Sequence, residues 1–574
     1  MFREIKNNYL KILKQLREDG KAFSKENPEI AYLLDFNPQR SNDPETERMI
    51  ESFAYMYADI DYKIENTYSN FQENFARSLF PEIVSPIPAS TILKLKPNLG
   101  ALKKKPDGLF IKKGTDFYTQ DKGLNKYHFK SVRDVNVHDI DVPFSYYSKI
   151  KLSNVPDNYY GSDAIQISLS VGENIPQYAL RDEHSMDFFI NSELENAFCI
   201  YDNIFSDNRD LVLFNKTSHK VSMIKRSDLE PVCDSFYYFS SLNSHNYIYP
   251  LFEFCNFIHK FLFFRVKFKK EYFSEPGPYT LILPVSKGSI KYFDDDSIQS
   301  SCVPIVNAFE KKLEPLIVSD NKFEYEVSSG AKKLSGNNEI LNMEKVEAKS
   351  LGDDNIFEVK KFEDTAAMSD FSWSFHQDIL NKVFVSIINK EGIYNSLGNL
   401  EFLYPIATCK NIYGAESFKT FQDYKCNDHS DDVTCQSLFN PITPNYVKTK
   451  FGGKYIVNYI KSIFDENEKI ALSQFSNINN TIQLLKLFSK NYEAFSNILD
   501  RIISKIVKIE SSYINDRIHA EKRTYHILCL EFKIHFRTDG TNYSGEIFLK
   551  NFLNFYFDQV RPFNLRIRVD VKFL

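Results

Sequence analysis

Between Asp43 and Arg77, apolar side chains return at three- and four-residue steps: Ile50, Phe53, Tyr57, Ile60, Ile64 and Phe71, broken only at Thr67. That spacing predicts one helix. Asp43-Pro44-Glu45 supplies a cap and a proline suited to the first helical position, and Pro81 closes the element. At roughly 1.5 Å per residue the helix is about 50 Å long, more than a small domain needs. A narrow stripe of near-heptad period suits a seam against other helices, in this chain or in a partner. Because most amphipathic helices bury their stripe at home, the residues alone favour packing within the chain. Upstream, Phe2, Ile5, Tyr9, Ile12 and Leu16 form a second stripe, and Asn27-Pro28 opens a short helix carrying Ile30, Leu33 and Leu34.

After Pro81 the pattern changes. Pro86 and Pro88 mark a linker, and short apolar or alternating runs follow, such as Ile167 to Val171 and Leu211 to Phe214, separated by Gly, Asp, Asn and Pro. These are the marks of antiparallel strands with long connections. The run Phe252 to Phe264 reads as a buried helix-to-strand junction. Residues 302 to 327 combine an apolar start with Pro304 and Pro315, which lack a backbone donor and exclude helix, so the segment must be extended there. Phe323, Tyr325 and Val327 then alternate with Glu324 and Glu326 as a half-buried strand. Charge rises over 328 to 350, predicting a surface excursion, and 411 to 445 forms a second weak zone. Helical periodicity returns over 482 to 509, followed by a strand (527–536), a helix (547–557) and a strand (565–573).

A chain of 574 residues is too long for one core. The expected fold class is α+β and multidomain. It has an N-terminal long-helix bundle segment (1–85), central mainly antiparallel β modules (86–330), a β/loop region with surface excursions (331–445) and a C-terminal α/β unit (446–574).

Composition narrows the function classes. The 51 Phe and 34 Tyr stand against one Trp, an aromatic excess that serves either large cores or interfaces. A net charge of -5 gives no field to recruit a polyanion, so nucleic acid is not an expected partner. Lys103 to Lys105 precede Pro106-Asp107-Gly108 and read as a solvated loop tip. The N-terminus carries charges where a signal peptide is apolar, and no run approaches the ~18 apolar residues of a span, so the expected setting is cytoplasmic without direct membrane insertion. The eight cysteines are scattered, as reduced thiols are.

Catalytic chemistry has little to stand on. Cys409, Cys426, His429 and Cys435 are the most site-like group, but two close ligand pairs are missing, and no metal is expected. Gly452-Gly453-Lys454 lacks the upstream glycine of a phosphate loop and reads as a hairpin turn. His259, His526 and His535 sit singly in apolar or β contexts. No enzyme and no cofactor are expected.

Residues 302 to 315, "CVPIVNAFEKKLEP", resemble the V-P-x-V-N-x-F-E…E-P core of the TssF family, the type VI secretion baseplate subunit also called ImpG or VasA. The matching positions are Val303, Pro304, Asn307, Phe309, Glu310 and Pro315. "LFPEIVSPIPAS" is similar to the family's junction, with Pro81, Pro86 and Pro88 at its prolines. "NPEIAYLL", "DPETERMIESFAYMYADIDYKIEN" and "SGEIFLKNFLNFYFDQVRPFNLRIRVDV" resemble its N-terminal helices and its closing helix and strand. Residues 411 to 445 have no clear counterpart.

The resemblance implies a non-catalytic wedge subunit. Its partners would be a TssG-like subunit, a second TssF copy, TssK-like and TssE-like subunits and the VgrG spike, in a cytoplasmic baseplate docked at the inner membrane complex. It also turns the Ile50 to Phe71 stripe into an expected intermolecular seam. Val303, Pro304, Asn307 and Phe309 are expected to set a bend joining two β modules, with Asn307 bonding local backbone, the alternative being a plain buried connector with no contact to other chains. Two further readings stay open: a wedge protein of a phage-derived contractile injection particle, and a carbohydrate-binding β protein.

Overall fold

The computed structural model describes residues 2–33, 44–79, 87–104, 108–120, 126–152, 155–173, 183–235, 249–269, 271–273, 275–285, 290, 292–319, 322, 324–328, 338–352, 355–362, 371–377, 382–389, 400–412, 422–429, 431–443, 478–520, 523–537, 544–560 and 565–574. They fall into two compact units, one within Met1–Val84 and one drawn from Ser85–Val447 and Ser462–Leu574.

The first unit is helical: α1 (Phe2–Glu26), α2 (Pro28–Leu33) and α3 (Pro44–Leu79). Both α2 and α3 start on the proline that the sequence places at the first turn, where a missing N–H costs nothing. Ile12 and Leu13 of α1 meet Ala54 and Ala58 of α3, flanked by Tyr9, Leu16, Ile50 and Tyr62. The alanines, one turn apart, let the two helices approach closely. Beside this contact the Arg17 guanidinium pairs with the buried Glu47 carboxylate.

The second unit holds a closed six-stranded barrel in the order Ser90–Pro97, Cys302–Val306, Lys126–Ser131, Asp116–Gln120, Asp423–Cys426 and Val433–Ser437. Its core includes Leu93, Phe117, Phe129, Val303, Ile305, Tyr424, Cys426 and Cys435. The supposed weak zone of 411 to 445 therefore supplies two barrel strands. It reads as polar because Lys425, Thr434 and Gln436 alternate outward with buried Tyr424, Val433 and Cys435.

A second sheet of eight strands runs Phe309–Lys312, Leu400–Asn411, Asn338–Ser350, Ile356–Lys361, Phe371–Gln377, Val383–Asn389 and Tyr325–Val327, with Leu316–Ile317 also paired to Leu400–Asn411. Most of the expected excursion at 328 to 350 is thus a 13-residue strand that buries Leu341, Met343, Val346 and Ala348. Its charges lie between the buried positions. Phe323 lies outside the described residues, and Tyr325 and Val327 are buried with Glu326 exposed. The boundary expected at 330 cuts this sheet, and the 331–445 region shares the barrel with residues 90 to 131, so the two regions do not separate as domains.

Towards the C-terminus, Ile506–Ala520, Arg523–Phe536 and Leu565–Phe573 form a three-stranded sheet whose last pair is parallel. The parallel pair requires a crossover, and a helix provides it. The 482 to 509 periodicity resolves into two helices, Ile478–Ser489 and Glu493–Ser504, with Ile506 already in a strand. Pairing along all of Arg523–Phe536 overrides the local helical spacing of Ile506 and Ile509. In chain order the α-helices among this unit's described residues are α4 (Leu99–Lys104), α5 (Leu194–Ser206), α6 (Tyr249–Asn256), α7 (Ile478–Ser489), α8 (Glu493–Ser504) and the crossover helix α9 (Glu546–Val560). Lys103 and Lys104 end α4 rather than standing on a loop tip.

Helices α5, α6, α8 and α9 meet in an aromatic cluster. The Phe254 ring stacks on Phe552 at 3.6 Å between centroids and meets Phe495 edge-on at 5.6 Å, while Phe198 lies 4.7 Å from Phe548. The Phe252 to Phe264 run is the helix-to-strand junction its composition predicts, and every residue in it is buried. Asp202 of α5 closes the cluster by accepting the backbone N–H groups of Gly545, Ile547 and Phe548 at 2.8, 3.2 and 2.8 Å, which caps α9 from another helix.

Candidate interaction surface and structural joint

On α3 the large side chains face outward. Phe53, Tyr57, Ile60 and Ile64 are 55, 59, 53 and 62% exposed, whereas Ala54 and Ala58 are at 0%. The pattern follows from helical geometry: the alanines occupy the face turned to α1, so residues one position away stand on the flank and beyond. Ile50 is half-buried against the α1 contact, and Met49 and Met56 add to the exposed apolar surface. Phe71 lies on α3, but its side chain is outside the described residues. The expected row is therefore split, with Ile50 turned partly inward and four members left to solvent. Apolar residues gathered along one helix in this way mark an interaction surface more often than a free one.

The second candidate is the segment from Val303 to Pro315. Val303 and Pro304 lie in the barrel strand Cys302–Val306, where Pro304 stands opposite Ile92 and its carbonyl accepts the Val132 N–H at 3.0 Å. Phe309 and Glu310 already belong to the eight-stranded sheet, opposite Cys409 and Thr408. Phe309 is buried and tilted against the His128 ring at 5.3 Å, whereas Glu310 and Pro315 are exposed. The chain passes between the sheets at Asn307. That residue does not bond local backbone as expected. Its N–H donates to Ala89 O at 2.8 Å, and its side-chain amide donates to His128 O and, at 2.9 Å, to Asn411 Oδ1. Its Oδ1 accepts the Asn411 N–H at 2.8 Å, and the Asn411 amide reaches Asn338 Oδ1 at 2.8 Å. A crossing between two sheets leaves backbone groups of both without ladder partners, and the amides fill that need. Burial lowers the pKa of His128 at this joint.

Pro81 and Pro86 lie outside the described residues. Pro88 is buried between Ile87 and Ala89 at the entry to the barrel, so this end of the expected linker is packed. Cys409 sits in the eight-stranded sheet while Cys426 and Cys435 sit in the barrel core, and burial pushes the Cys409 and Cys435 thiols up to about 12. His429 pairs instead with Asp432, Nδ1 to Oδ2 at 3.5 Å. Among the described residues, no three His, Cys, Asp or Glu side chains gather as a metal site. Gly452 to Lys454 lie outside the described residues.

One buried network has no signal in the sequence because its members are far apart. Lys260, fully buried, reaches Glu253 at 2.6 Å and Asp234 at 3.4 Å, and Arg133 reaches Asp234 at 2.9 Å while lying over the Phe263 ring. Burial alone would raise the Asp234 carboxyl, but the two cations hold it well below the usual carboxylate range.

The family model for the type VI secretion system protein TssF matches residues 1–393. The chain belongs to the TssF family. A relative in Pseudomonas aeruginosa, type VI secretion system component TssF1, is 32% identical over 114 residues, which span 20% of this chain and only 18% of that protein. Among solved structures, a chain of the cryo-electron microscopy structure of a type VI secretion TssK-TssF-TssG baseplate subcomplex shares the fold. The match has a TM-score of 0.67 over 92% of this chain and 96% of that one, at 16% identity. A chain of a type VI secretion baseplate complex aligns over 99% and 96% with a TM-score of 0.52 at 15% identity. Likeness at these identities shows the α+β multidomain fold of this family member. Among the described residues no helix is long and apolar enough to cross a membrane.

Proposed function

We propose that this TssF-family chain is a non-catalytic wedge subunit of a type VI secretion baseplate, held in place by TssG-like and TssK-like partners. In the same reading a second copy of the chain completes the wedge, a TssE-like subunit links it to the sheath, and wedges surround a VgrG spike in a cytoplasmic baseplate docked at the inner membrane complex. The observation that carries the reading is the outward row Phe53, Tyr57, Ile60 and Ile64 on α3. Fully burying such a side chain is worth roughly 1.5–3 kcal/mol, so four of them, already partly covered, still offer a partner several kcal/mol. The fold shared with a chain solved beside TssK and TssG supports the choice of partners. The joint at Asn307 suits a subunit that must stay rigid under load, since its amides tie two sheets without a flexible connector. When the sheath contracts, rigid modules of this kind shift at their interfaces rather than within their cores.

The test is co-expression of the tagged chain with the TssG-like and TssK-like subunits of its own cell. The expected result is a stable complex that survives size-exclusion chromatography. Elution of the chain as a soluble monomer, with neither partner bound, would sink the proposal.

A further inference from the structure

We propose that the strand Ile506–Ala520 pairs antiparallel with the same strand of a second copy of this chain, so that each Ser512 faces its counterpart. The strand is the outer one of the three-stranded sheet, and among the described residues nothing pairs with its free side. It is 15 residues long, whereas the other antiparallel edge strands among the described residues have two to five. Proteins blunt a free edge with short strands, prolines or bulges. This edge has no proline or glycine, and its one register shift, between Ile506 and Lys508, lies at its start. No residue from Ile506 to Arg517 is buried, and Val507 and Tyr513 are 56 and 67% exposed. Helix α9 packs on the middle strand, with Phe557 5.8 Å from Phe532, but leaves Tyr513, opposite Leu530, open. A further strand can therefore be added without displacing a helix.

The charges along the edge select the occupant and its register. Facing side chains of an antiparallel pair lie on one face, so two identical strands related by a two-fold axis must be centred on a residue that meets its own copy. Centring on Tyr513 sets Glu510 against Asp516 twice, which is repulsive. Centring on Ser511 or Ile514 sets Lys508 or Glu510 against isoleucine. Centring on Ser512 sets Lys508 of each copy against Asp516 of the other. Within the chain Lys508 Nζ meets Glu510 at 2.8 Å and Arg566 meets Asp516 at 2.7 Å. The two-fold joins these pairs into two rows of alternating charge, Glu510, Lys508, Asp516 and Arg566. On the other face the two Tyr513 side chains become diagonal neighbours, within reach of each other. The inference gives a surface to the second copy of the wedge reading, but it is a property of the chain alone, so its failure would leave the TssG-like and TssK-like partners untouched.

The test is oxidative cross-linking of the purified full chain without partners. Ser512→Cys should form a disulfide-linked dimer well above the background of the native chain, because facing Cβ atoms lie only about 4.5–5.5 Å apart. Ile514→Cys, on the same face but opposite Glu510 of the second copy, should not. No dimer from Ser512→Cys, or equal dimer from both, would overturn the proposal. In the Ser512→Cys background, Lys508→Asp and Asp516→Lys should each lower the yield about tenfold, since each replaces two attractive pairs by two repulsive ones. Mixing the two variants should restore it, because the mixed dimer again sets a cation against an anion at both positions. Unfolding midpoints confirm that both variants fold, and folded variants that fail to cross-link when mixed would contradict the register.

Discussion

Helix α3 and the cluster around α6 use the same aromatic-rich vocabulary to opposite ends. In the cluster, Phe254, Phe495, Phe548 and Phe552 are all buried and face one another, whereas on α3 the small residues Ala54 and Ala58 are buried and Phe53 and Tyr57 face water. The cluster is a finished interior. In the proposed reading the α3 surface is half of one. An aromatic excess in a composition therefore has no single meaning; its use is decided by whether the helix turns its bulky or its small residues toward its own chain.

This contrast yields substitutions of graded effect. The largest is Phe254→Ala, which removes the ring stacked at 3.6 Å on Phe552 and should cost about 3–5 kcal/mol in denaturant unfolding, with loss of soluble yield. A cost below about 1 kcal/mol would mean the cluster is not a packed core. Next comes Asn307→Ala, which strands the Asn411 N–H and the His128 carbonyl and should cost about 1–3 kcal/mol by the same measurement.

Asp202 sharpens the picture through pH. Burial, reinforced by neighbouring Glu546, raises its carboxyl well above the usual range, while the three backbone N–H groups at α9 pull the other way. Since the folded pKa lies above the unfolded one, the stabilisation is complete below about pH 4 and is lost as pH rises towards the folded value, at no more than about 1.4 kcal/mol per pH unit. Urea titrations across this window should show that decline, and Asp202→Asn should flatten it. The smallest effect belongs to Phe53→Ala, whose side chain has little to lose at home and should shift stability of the isolated chain by within about 0.5 kcal/mol.

Much of the fold was legible where one element carries its own pattern. The start of α3 at Pro44, the buried run through Phe254 and the closing strand, helix and strand all follow from local spacing and proline placement. What stayed hidden depends on distant partners. Tyr424, Cys426, Val433 and Cys435 look like fragments of a polar loop until the strand Ser90–Pro97, more than 300 residues away, closes the barrel over them. Asn307 looks like a turn residue because asparagine favours turns, and only the crossing of two sheets brings Asn411 and His128 within reach. On α3 the row of apolar residues was legible, but not which side of the helix α1 would take. Ala54 and Ala58 are weak signals in a hydrophobicity pattern, yet they set that choice.

The most direct measurement is a paired substitution on that row, Phe53→Asp with Ile60→Asp, read by co-purification with the TssG-like partner and by the unfolding midpoint of the purified chain. The account predicts loss of the complex with the midpoint little changed, because both side chains are exposed in the isolated chain. Retention of the complex by the folded double variant would contradict it.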